Sequence, residues 1–191
     1  MTNDLQLIMK MKQFLLSIWE ILEVVLIAVA TVFLIRTFLV QPFLVSGASM
    51  EPNFYDNDYL LIDEITYRFR EPARGEVVVF RSPTSNTYFI KRLVGLPGER
   101  VSVKNGEVMI YHNDGSQSIV LKEGYLEPDI RTFGDFDVKL KEGQYFVLGD
   151  NRNFSFDSRS WGSLEGDKIV GLVRLRLWPI NTVMAFEAPI Y

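Results

Sequence analysis

The stretch LVSGASMEPNF, residues 44–54, lies at the boundary between two parts of the chain that differ in composition. Before it, residues 14–35 read FLLSIWEILEVVLIAVATVFLI, and after it short runs rich in Val, Ile, Tyr and Phe alternate with turn residues. The stretch itself places Ser49 directly after the small residues Gly47 and Ala48. The sequence therefore predicts an apolar helix followed by a β-rich domain, with a serine turn near the start of that domain.

The apolar run is long enough to cross a bilayer. As a helix it would extend about 33 Å, against a hydrocarbon core of about 30 Å. No small-residue cleavage site follows it, as one would follow a removable signal peptide. We therefore expect a single uncleaved N-terminal transmembrane helix over residues 14–38, preceded by a short segment 1–13. A buried core helix or an in-plane amphipathic helix is the alternative, and the second half of the run disfavours both because it is apolar on every face.

Flanking charges predict the orientation of this helix. Lys10 and Lys12 precede the span and Arg36 follows it, so the positive-inside rule favours a cytoplasmic N-terminus and an extracytoplasmic domain over residues 39–191. A fully extended connection would keep Ser49 within about 45 Å of the end of the span. Any substrate of Ser49 should therefore also be at the membrane.

In the body of the chain, turn residues separate short β-rich runs at frequent intervals, which is typical of an antiparallel, mostly β domain. Asn105-Gly106 is a strong signal for a two-residue hairpin turn. Residues 115–141 have weak periodicity, and we expect them to form a compact surface excursion within residues 100–144. Strands are predicted at residues 59–65, 76–81, 88–94, 100–104, 107–111, 118–121, 144–148 and 169–178.

Composition excludes several classes of function. The chain has no cysteine and one histidine, so disulfides, thiolate metal sites and sites built on several imidazoles are excluded. Its net charge is −4 and it has no basic stripe, which makes nucleic acid an improbable partner. The single histidine, His112, lies in a polar hairpin tip where we expect it to be solvated, so a Ser/His/Asp triad is improbable.

Ser49 is the candidate nucleophile. A serine in a turn of small residues can point both its Oγ and its own amide N–H at a bound carbonyl, as acyl transfer requires. An ordinary Gly/Ser turn without catalytic function is the alternative. A serine nucleophile also needs a base, and with His112 set aside that base must be a lysine.

Lys91, in TYFIKRLVGLPGE, is the candidate base. On a strand it shares a face with the apolar residues Phe89 and Leu93, whereas Arg92 points to the opposite face. Lowering a lysine pKa from about 10.4 to about 7.5 requires about 4 kcal/mol, which burial of the ammonium group can supply. The alternative is a strand lysine that extends its ammonium group to water.

A third stretch, GDNRNFSFDSRSWG at residues 149–162, follows a predicted apolar strand. It could be only a polar loop. Its alternating acidic and basic side chains could equally form a hydrogen-bonded scaffold, with Ser155 free to orient the amine of Lys91. The charged residues of this scaffold are Asp150, Arg152, Asp157 and Arg159.

Taken together, SGASMEPNF, YFIKRLVGLPGE and GDNRNFSFDSR match, in order, three motifs of one family. The sequence resembles the bacterial type I signal peptidases, which are membrane-anchored serine proteases with a Ser/Lys dyad. The resemblance covers nearly the whole chain, including the tail VRLRLWPINTV. It implies the antiparallel β-sheet catalytic domain of the signal peptidase type after one transmembrane helix, in the plasma (inner) membrane.

The resemblance also implies roles for individual residues. Ser49 would be the nucleophile, Lys91 the general base and Ser155 a hydrogen-bond partner of the lysine amine. The oxyanion hole would use the Ser49 N–H, and the position of a second donor in some family members is Gly47 here. The residues that would support the site are Asp150, Arg152, Asp157 and Arg159.

The implied substrates are the signal peptides of exported preproteins, with small residues at the first and third positions before the cut. Met50, Phe89 and Ile90 are candidate wall residues of the pockets. The implied chemistry needs no metal and no organic cofactor, and we expect a monomer whose other partner is the lipid bilayer. Two alternatives are a self-cleaving Ser/Lys repressor-type protein and a membrane-tethered β module that binds partners without catalysis.

Overall fold

The structure is a computed structural model of the full chain, and it describes residues 2–38, 40–112, 118–134 and 136–189. The turn predicted at residues 113–115 lies outside the described residues. The chain divides into two compact units, one up to residue 39 and one from residue 40 onward. Each unit is described by itself.

The first unit is one long helix, α1, Thr2–Phe38. It begins well before the start of the span predicted at residue 14. Its segment Lys10–Phe33 is long and apolar enough to cross a membrane, and none of the most apolar window is buried. A core helix of a soluble protein would be mostly buried, so the exposure of these apolar side chains disfavours that alternative.

The second unit is mostly antiparallel β-sheet. Its short helices are α2, Thr66–Phe69, and α3, Ser158–Trp161, with 3₁₀ turns at Gly166–Lys168 and Ile180–Thr182. The strands, in chain order, are β1 Val40–Leu44, β2 Tyr59–Asp63, β3 Val77–Arg81, β4 Tyr88–Gly95, β5 Arg100–Lys104, β6 Glu107–Tyr111, β7 Ile119–Val120, β8 Phe136–Lys139, β9 Gln144–Leu148, β10 Leu164–Glu165, β11 Ile169–Trp178 and β12 Met184–Ala185.

In the described part of the chain these strands form two sheets. The larger has the order β1-β2-β11-β3-β4-β9-β10, with β12 paired to β11, and the smaller has the order β7-β6-β5-β8. Every strand pair is antiparallel, which confirms the predicted fold class. Strand β4 lies between β3 and β9, so the residues of the lysine motif are held on both sides by backbone hydrogen bonds.

The smaller sheet corrects the expectation that residues 100–144 form only a surface excursion. Val101, Val103, Val108 and Ile110 from β5 and β6 are fully buried and pack with Phe146 from the larger sheet. The reason is the alternation of valine and isoleucine with polar residues, which gives this segment an apolar face that must be covered. The predicted hairpin at Asn105-Gly106 is confirmed, since both residues have positive φ, 54° and 85°.

The predicted strands at residues 100–104, 107–111, 144–148 and 169–178 are confirmed at both ends. Four strands were not predicted from the sequence: β1, β8, β10 and β12. Strand β1 contains Pro42, and it is an edge strand of the larger sheet, where proline is tolerated because one side needs no ladder hydrogen bonds. Strands β10 and β12 are two residues each, too short for a period-2 pattern.

Candidate active site

The turn after β1 carries Ser49. Gly47 has a φ of +93°, a conformation that favours glycine, and its N–H donates a 2.8 Å hydrogen bond to Asp56 Oδ1. Phe54 N–H donates to the Met50 carbonyl at 2.9 Å, which forms a hydrogen-bonded turn directly after the serine. Ser49 is half-buried, and the structure thus presents it in a turn that hydrogen bonds hold at both ends.

Lys91 lies in the middle of β4, with only 3% of its surface exposed. Its Nζ donates a 2.7 Å hydrogen bond to Ser49 Oγ and a 2.8 Å hydrogen bond to the Ile90 carbonyl oxygen. The ring of Phe89 lies 5.5 Å from the same nitrogen. The two residues that the sequence predicted as nucleophile and base are therefore in direct contact.

Burial changes the acidity of this amine. Removal of the ammonium group from water lowers the pKa of Lys91 from 10.5 to about 8, against the opposing charges of Asp157 and Asp150. At pH 7 an amine with a pKa of about 8 is neutral in about one molecule in ten, whereas one with the ordinary value is neutral in fewer than about one in a thousand. The hydrogen bond from Lys91 to Ser49 can therefore reverse its direction, with the neutral amine accepting the hydroxyl proton.

The loop after β9 pairs its charges with the strand that carries Lys91. Asp150 accepts hydrogen bonds from Arg92 Nη2 at 2.6 Å and from Arg92 Nε at 2.8 Å, and both side chains are buried. Asn53, four residues after Ser49, donates to Asp150 Oδ2 at 2.9 Å. One buried carboxylate thus joins the serine turn, the lysine strand and the third motif.

Asp157 and Arg159 form the second pair of the loop. Arg159 Nη2 and Nε each lie 2.8 Å from an oxygen of Asp157. Asp157 also accepts the Gly149 N–H at 3.0 Å and caps α3 through the Arg159 N–H. The Asp157 carboxylate therefore fixes both ends of the loop.

Arg152 makes contacts that the sequence did not predict. Its fully buried guanidinium donates to Glu123 at 2.6 and 2.8 Å, to Thr132 Oγ1, and through Nε to the Gly149 carbonyl at 3.0 Å. Burial opposes the charged form, but the hydrogen bonds and charge of Glu123 outweigh it, so the pKa of Arg152 lies above its ordinary value. Tyr125 also donates to Glu123, at 2.7 Å. Glu123, Tyr125 and Thr132 come from the weakly periodic stretch, where no motif indicated them.

Ser155 does not have the partner that the sequence predicted. Its Oγ is buried and has no hydrogen-bond partner in the described structure, while Lys91 Nζ donates to Ser49 and Ile90 instead. The hydroxyl packs against Gly149, where any Cβ atom would clash with both Ser155 Oγ and the Ser49 carbonyl. Ser155 therefore packs closely against Gly149 beside the serine turn.

A groove of about 330 Å³ runs past Ser49 and Lys91. Phe89 and Ile90 line it, as predicted from the sequence. Met50 is completely buried in a core cluster with Phe54 and Leu60 instead of lining the groove, because its side chain turns inward from the serine turn. The other lining residues are Phe43, Leu44, Val45, Ser46, Gly47, Ala48, Leu60, Val79, Tyr88, Phe154 and Phe156.

His112 is the last of the residues considered from the sequence. His112 is half-buried, and its Nδ1 lies 3.1 Å from Glu99 Oε1, so the expectation of a solvated imidazole is wrong. Glu99 directly precedes β5, and its carboxylate also accepts hydrogen bonds from Arg74. Within the described ranges, no group of His, Asp and Glu side chains is arranged to hold a metal ion.

A family model described as "Signal peptidase, peptidase S26" matches residues 18–178. The chain belongs to the signal peptidase family. The match includes the serine turn, the lysine strand and the loop after β9, which are the three segments that meet at the groove. The chain is accordingly a peptidase of this family.

Curated relatives agree with this assignment. A probable signal peptidase I-2 of Synechocystis sp. is 41% identical over 157 residues, which cover 78% of this chain and 68% of the relative. A signal peptidase I of Bacillus licheniformis is 35% identical over 172 residues, 87% of this chain and 92% of the relative. A solved signal peptidase I from Enterococcus faecalis V583 is 30% identical and covers 54% of this chain and 97% of its own, with a TM-score of 0.46.

Proposed function

We propose that the chain removes N-terminal signal peptides from exported preproteins as a membrane-anchored serine endopeptidase, with Ser49 as nucleophile and Lys91 as general base. The family assignment supports signal-peptide removal by a serine protease. The observation that carries the Ser/Lys assignment is the 2.7 Å hydrogen bond between Lys91 Nζ and Ser49 Oγ. Burial of that amine supports its action as a base at physiological pH.

In the first step, neutral Lys91 accepts the Ser49 proton while Oγ attacks the carbonyl carbon of the scissile peptide bond. The carbonyl oxygen takes the displaced electron pair and becomes an oxyanion, for which the Ser49 N–H is a donor. The tetrahedral intermediate then expels the amine of the mature protein, which takes the proton from Lys91. An acyl-enzyme on Ser49 is left.

In the second step, water replaces the departed amine. Neutral Lys91 accepts a proton from the water as the water oxygen attacks the acyl carbon, and Ser49 leaves with the proton that Lys91 returns. The products are the free signal peptide and a mature protein with a new N-terminus. Asp150 and Asp157 support these steps by holding the loop beside the dyad through Arg92 and the Gly149 N–H.

The groove supports a substrate bound in an extended conformation with small residues near the cut. Phe89 and Ile90 come from the lysine strand, and Leu60 and Val79 from the strands nearby, so the walls are apolar and close to Ser49. Such walls favour small apolar side chains over large or charged ones, because a charge would be desolvated without a partner.

For the whole chain we propose a segment 1–13 in the cytoplasm, a transmembrane anchor 14–38 and a catalytic domain 39–191 on the extracytoplasmic face of the plasma (inner) membrane. Apolar helix α1 and the membrane-length segment within it support the anchor. Ser49 and Lys91 come from one chain, which supports action as a monomer. Protease added outside right-side-out vesicles should digest the catalytic domain and leave residues 1–13 protected.

The decisive experiment incubates the full-length protein in detergent micelles with a preprotein whose signal ends in Ala-X-Ala. We expect one new N-terminus directly after the second alanine. Ser49→Ala and Lys91→Ala should each abolish cleavage while the proteins stay folded, and Lys104→Ala, at an exposed lysine of β5, should cleave normally. Normal turnover by either dyad variant would eliminate the Ser/Lys mechanism, and a folded wild-type protein that cleaves nothing would favour a non-catalytic module.

A further inference from the structure

Asn151 contacts the serine turn twice. Its side-chain Nδ2 donates a 3.0 Å hydrogen bond to the Ala48 carbonyl oxygen, and its backbone N–H donates a 3.1 Å hydrogen bond to the Ser49 carbonyl oxygen. One residue of the loop after β9 thus holds the two consecutive carbonyl groups on either side of the Ser49 side chain. No other residue in the described part of the chain bonds to both of these carbonyls.

The first contact fixes the direction of the Ser49 N–H. The Ala48 carbonyl and the Ser49 N–H belong to the same peptide group, which is planar and, in this chain, trans. In a trans peptide the two groups point in opposite directions, so a donor that holds the carbonyl on one side aims the N–H to the other. Among the described residues the Ser49 N–H has no hydrogen-bond partner, and it is therefore available to a ligand in the groove.

The turn has few other constraints on this peptide group. Gly47 and Ala48 are exposed and small, and a Cβ atom at Gly47 would meet nothing within 4 Å. Asp56 holds the Gly47 N–H, one peptide group earlier. The Ala48 carbonyl also accepts the Glu51 N–H at 3.2 Å, a contact within the turn itself, whereas Asn151 ties the peptide group to the separate loop that carries Asp150 and Asp157.

We propose that Asn151 is a positioning residue that aims the Ser49 N–H at the oxyanion. The inference rests on the proposed function, in which that N–H stabilises the tetrahedral intermediate. Because the oxyanion forms only after attack, a misdirected N–H lowers kcat and leaves KM nearly unchanged. The Asn151 side chain is neutral and makes no hydrogen bond to Lys91 in the described structure, so the midpoint of the pH profile should not move.

The test compares Asn151→Ala and Asn151→Leu with a matched control, Asn153→Ala. Leucine has the same branched heavy-atom skeleton as asparagine but cannot donate a hydrogen bond. Asn153 is an exposed asparagine in the same loop, and its variant should behave like wild type. We expect kcat to fall about 10- to 100-fold in both Asn151 variants, somewhat less than for complete loss of one oxyanion donor, with KM within about twofold of wild type.

A pair of inhibitors separates oxyanion stabilisation from general damage to the groove. In a signal-peptide aldehyde, Ser49 Oγ adds to the carbonyl carbon and the carbonyl oxygen receives the electron pair, as in the proposed reaction. The matched peptide alcohol fills the same groove but forms no such oxygen. Both Asn151 variants should lose about 10-fold or more in affinity for the aldehyde, while affinity for the alcohol stays within about twofold.

Two results would overturn the inference. One is wild-type kcat and aldehyde affinity in both Asn151 variants. The other is an equal loss of aldehyde and alcohol affinity with a lowered melting temperature, which would mean that Asn151 only stabilises the fold. In either case cleavage by wild type and Asn153→Ala would leave the proposed function standing, whereas a wild-type protein without cleavage activity would overturn both.

Discussion

The Nζ atom of Lys91 lies 2.7 Å from the Oγ atom of Ser49, although the two residues belong to different segments of the fold. Ser49 lies in a turn after an edge strand, and Lys91 lies in β4 between two other strands. The sheet therefore holds the backbone of Lys91 on both sides, and the turn brings the Ser49 hydroxyl to its amine. Because the amine is almost fully buried, we expect changes at Lys91 to affect both the activity and the stability of the protein.

The first prediction concerns the pH dependence of cleavage. With the pKa of Lys91 lowered by burial to about 8, kcat/KM should rise with pH to a plateau above about pH 8, and fall about tenfold per pH unit below it. Lys91→Arg should be inactive throughout, since a guanidinium keeps its proton. Initial rates between pH 6 and 10 check this, and a midpoint near the ordinary lysine value of 10.5 would contradict it.

The second prediction concerns stability. Between pH 8 and 10.5 the unfolded chain binds a proton at Lys91 and the folded chain does not, so the free energy of unfolding of wild type rises with pH in this window. Below pH 8 the shift costs the folded state roughly 3 kcal/mol. Lys91→Met removes this cost and loses two hydrogen bonds of about 1 kcal/mol each, so at pH 7 the variant should be at least as stable as wild type.

Urea unfolding of the full-length protein in detergent at pH 7 and pH 10 measures this difference. The advantage of Lys91→Met should shrink or reverse at pH 10. Lys104→Met, at an exposed position, is the control and should show the same small effect at both values. If Lys91→Met were clearly less stable than wild type at pH 7, and by the same free energy of unfolding at pH 10, then desolvation of the ammonium group would not destabilise the folded protein.

The third prediction concerns Gly149, which lies where the third motif passes the serine turn. A Cβ atom there would clash with the Ser49 carbonyl and Ser155 Oγ, so Gly149→Ala must push the turn away from the loop. We expect kcat/KM to fall about 100-fold or more, because small displacements of reacting groups have large effects on rate. At Gly124 a Cβ atom meets nothing within 4 Å, and Gly124→Ala should keep wild-type activity.

Much of the site could be predicted because the relevant patterns are local. The alternation around Lys91 placed it on an apolar face with Phe89, and three quoted motifs indicated the segments that meet at the groove. The fold class followed from short β-rich runs and from turns such as Asn105-Gly106. For the face of Lys91 and for the fold class, neighbouring residues in the sequence contain the information, so period and turn chemistry were sufficient. The three motifs were brought together by the resemblance to the signal peptidases.

Contacts between distant segments could not be predicted in the same way. Arg152 and Glu123 are 29 residues apart, and Glu123 lies in a stretch without a clear period, so nothing in the sequence paired them. Met50 was assigned to the groove because it follows Ser49, but the direction of a side chain in a turn depends on the core that packs against it, here Phe54 and Leu60. Whether Ser155 can bond to the amine likewise depends on where Lys91 points, and here the amine bonds to Ser49 and Ile90 instead.

The last prediction concerns the buried pair of Arg152 and Glu123. The Arg152 side chain is completely inaccessible to solvent, so Glu123→Ala would leave its guanidinium with neutral acceptors alone, the hydroxyls of Thr132 and Tyr125 and the Gly149 carbonyl. Breaking a buried pair by removing one partner costs about 3–5 kcal/mol. Glu123→Gln keeps an oxygen acceptor and should cost less, about 1–3 kcal/mol.

The matched control is Glu127→Ala, an exposed glutamate in the same stretch, which should change the free energy of unfolding by less than about 0.5 kcal/mol. Urea unfolding followed by near-ultraviolet circular dichroism ranks the three variants. Because Arg152 Nε also holds the Gly149 carbonyl, Glu123→Ala should lower kcat at temperatures where the protein is still folded. Equal stability of Glu123→Ala and Glu127→Ala would show that the segment containing Glu123 does not support the loop, and that Arg152 finds sufficient partners without it.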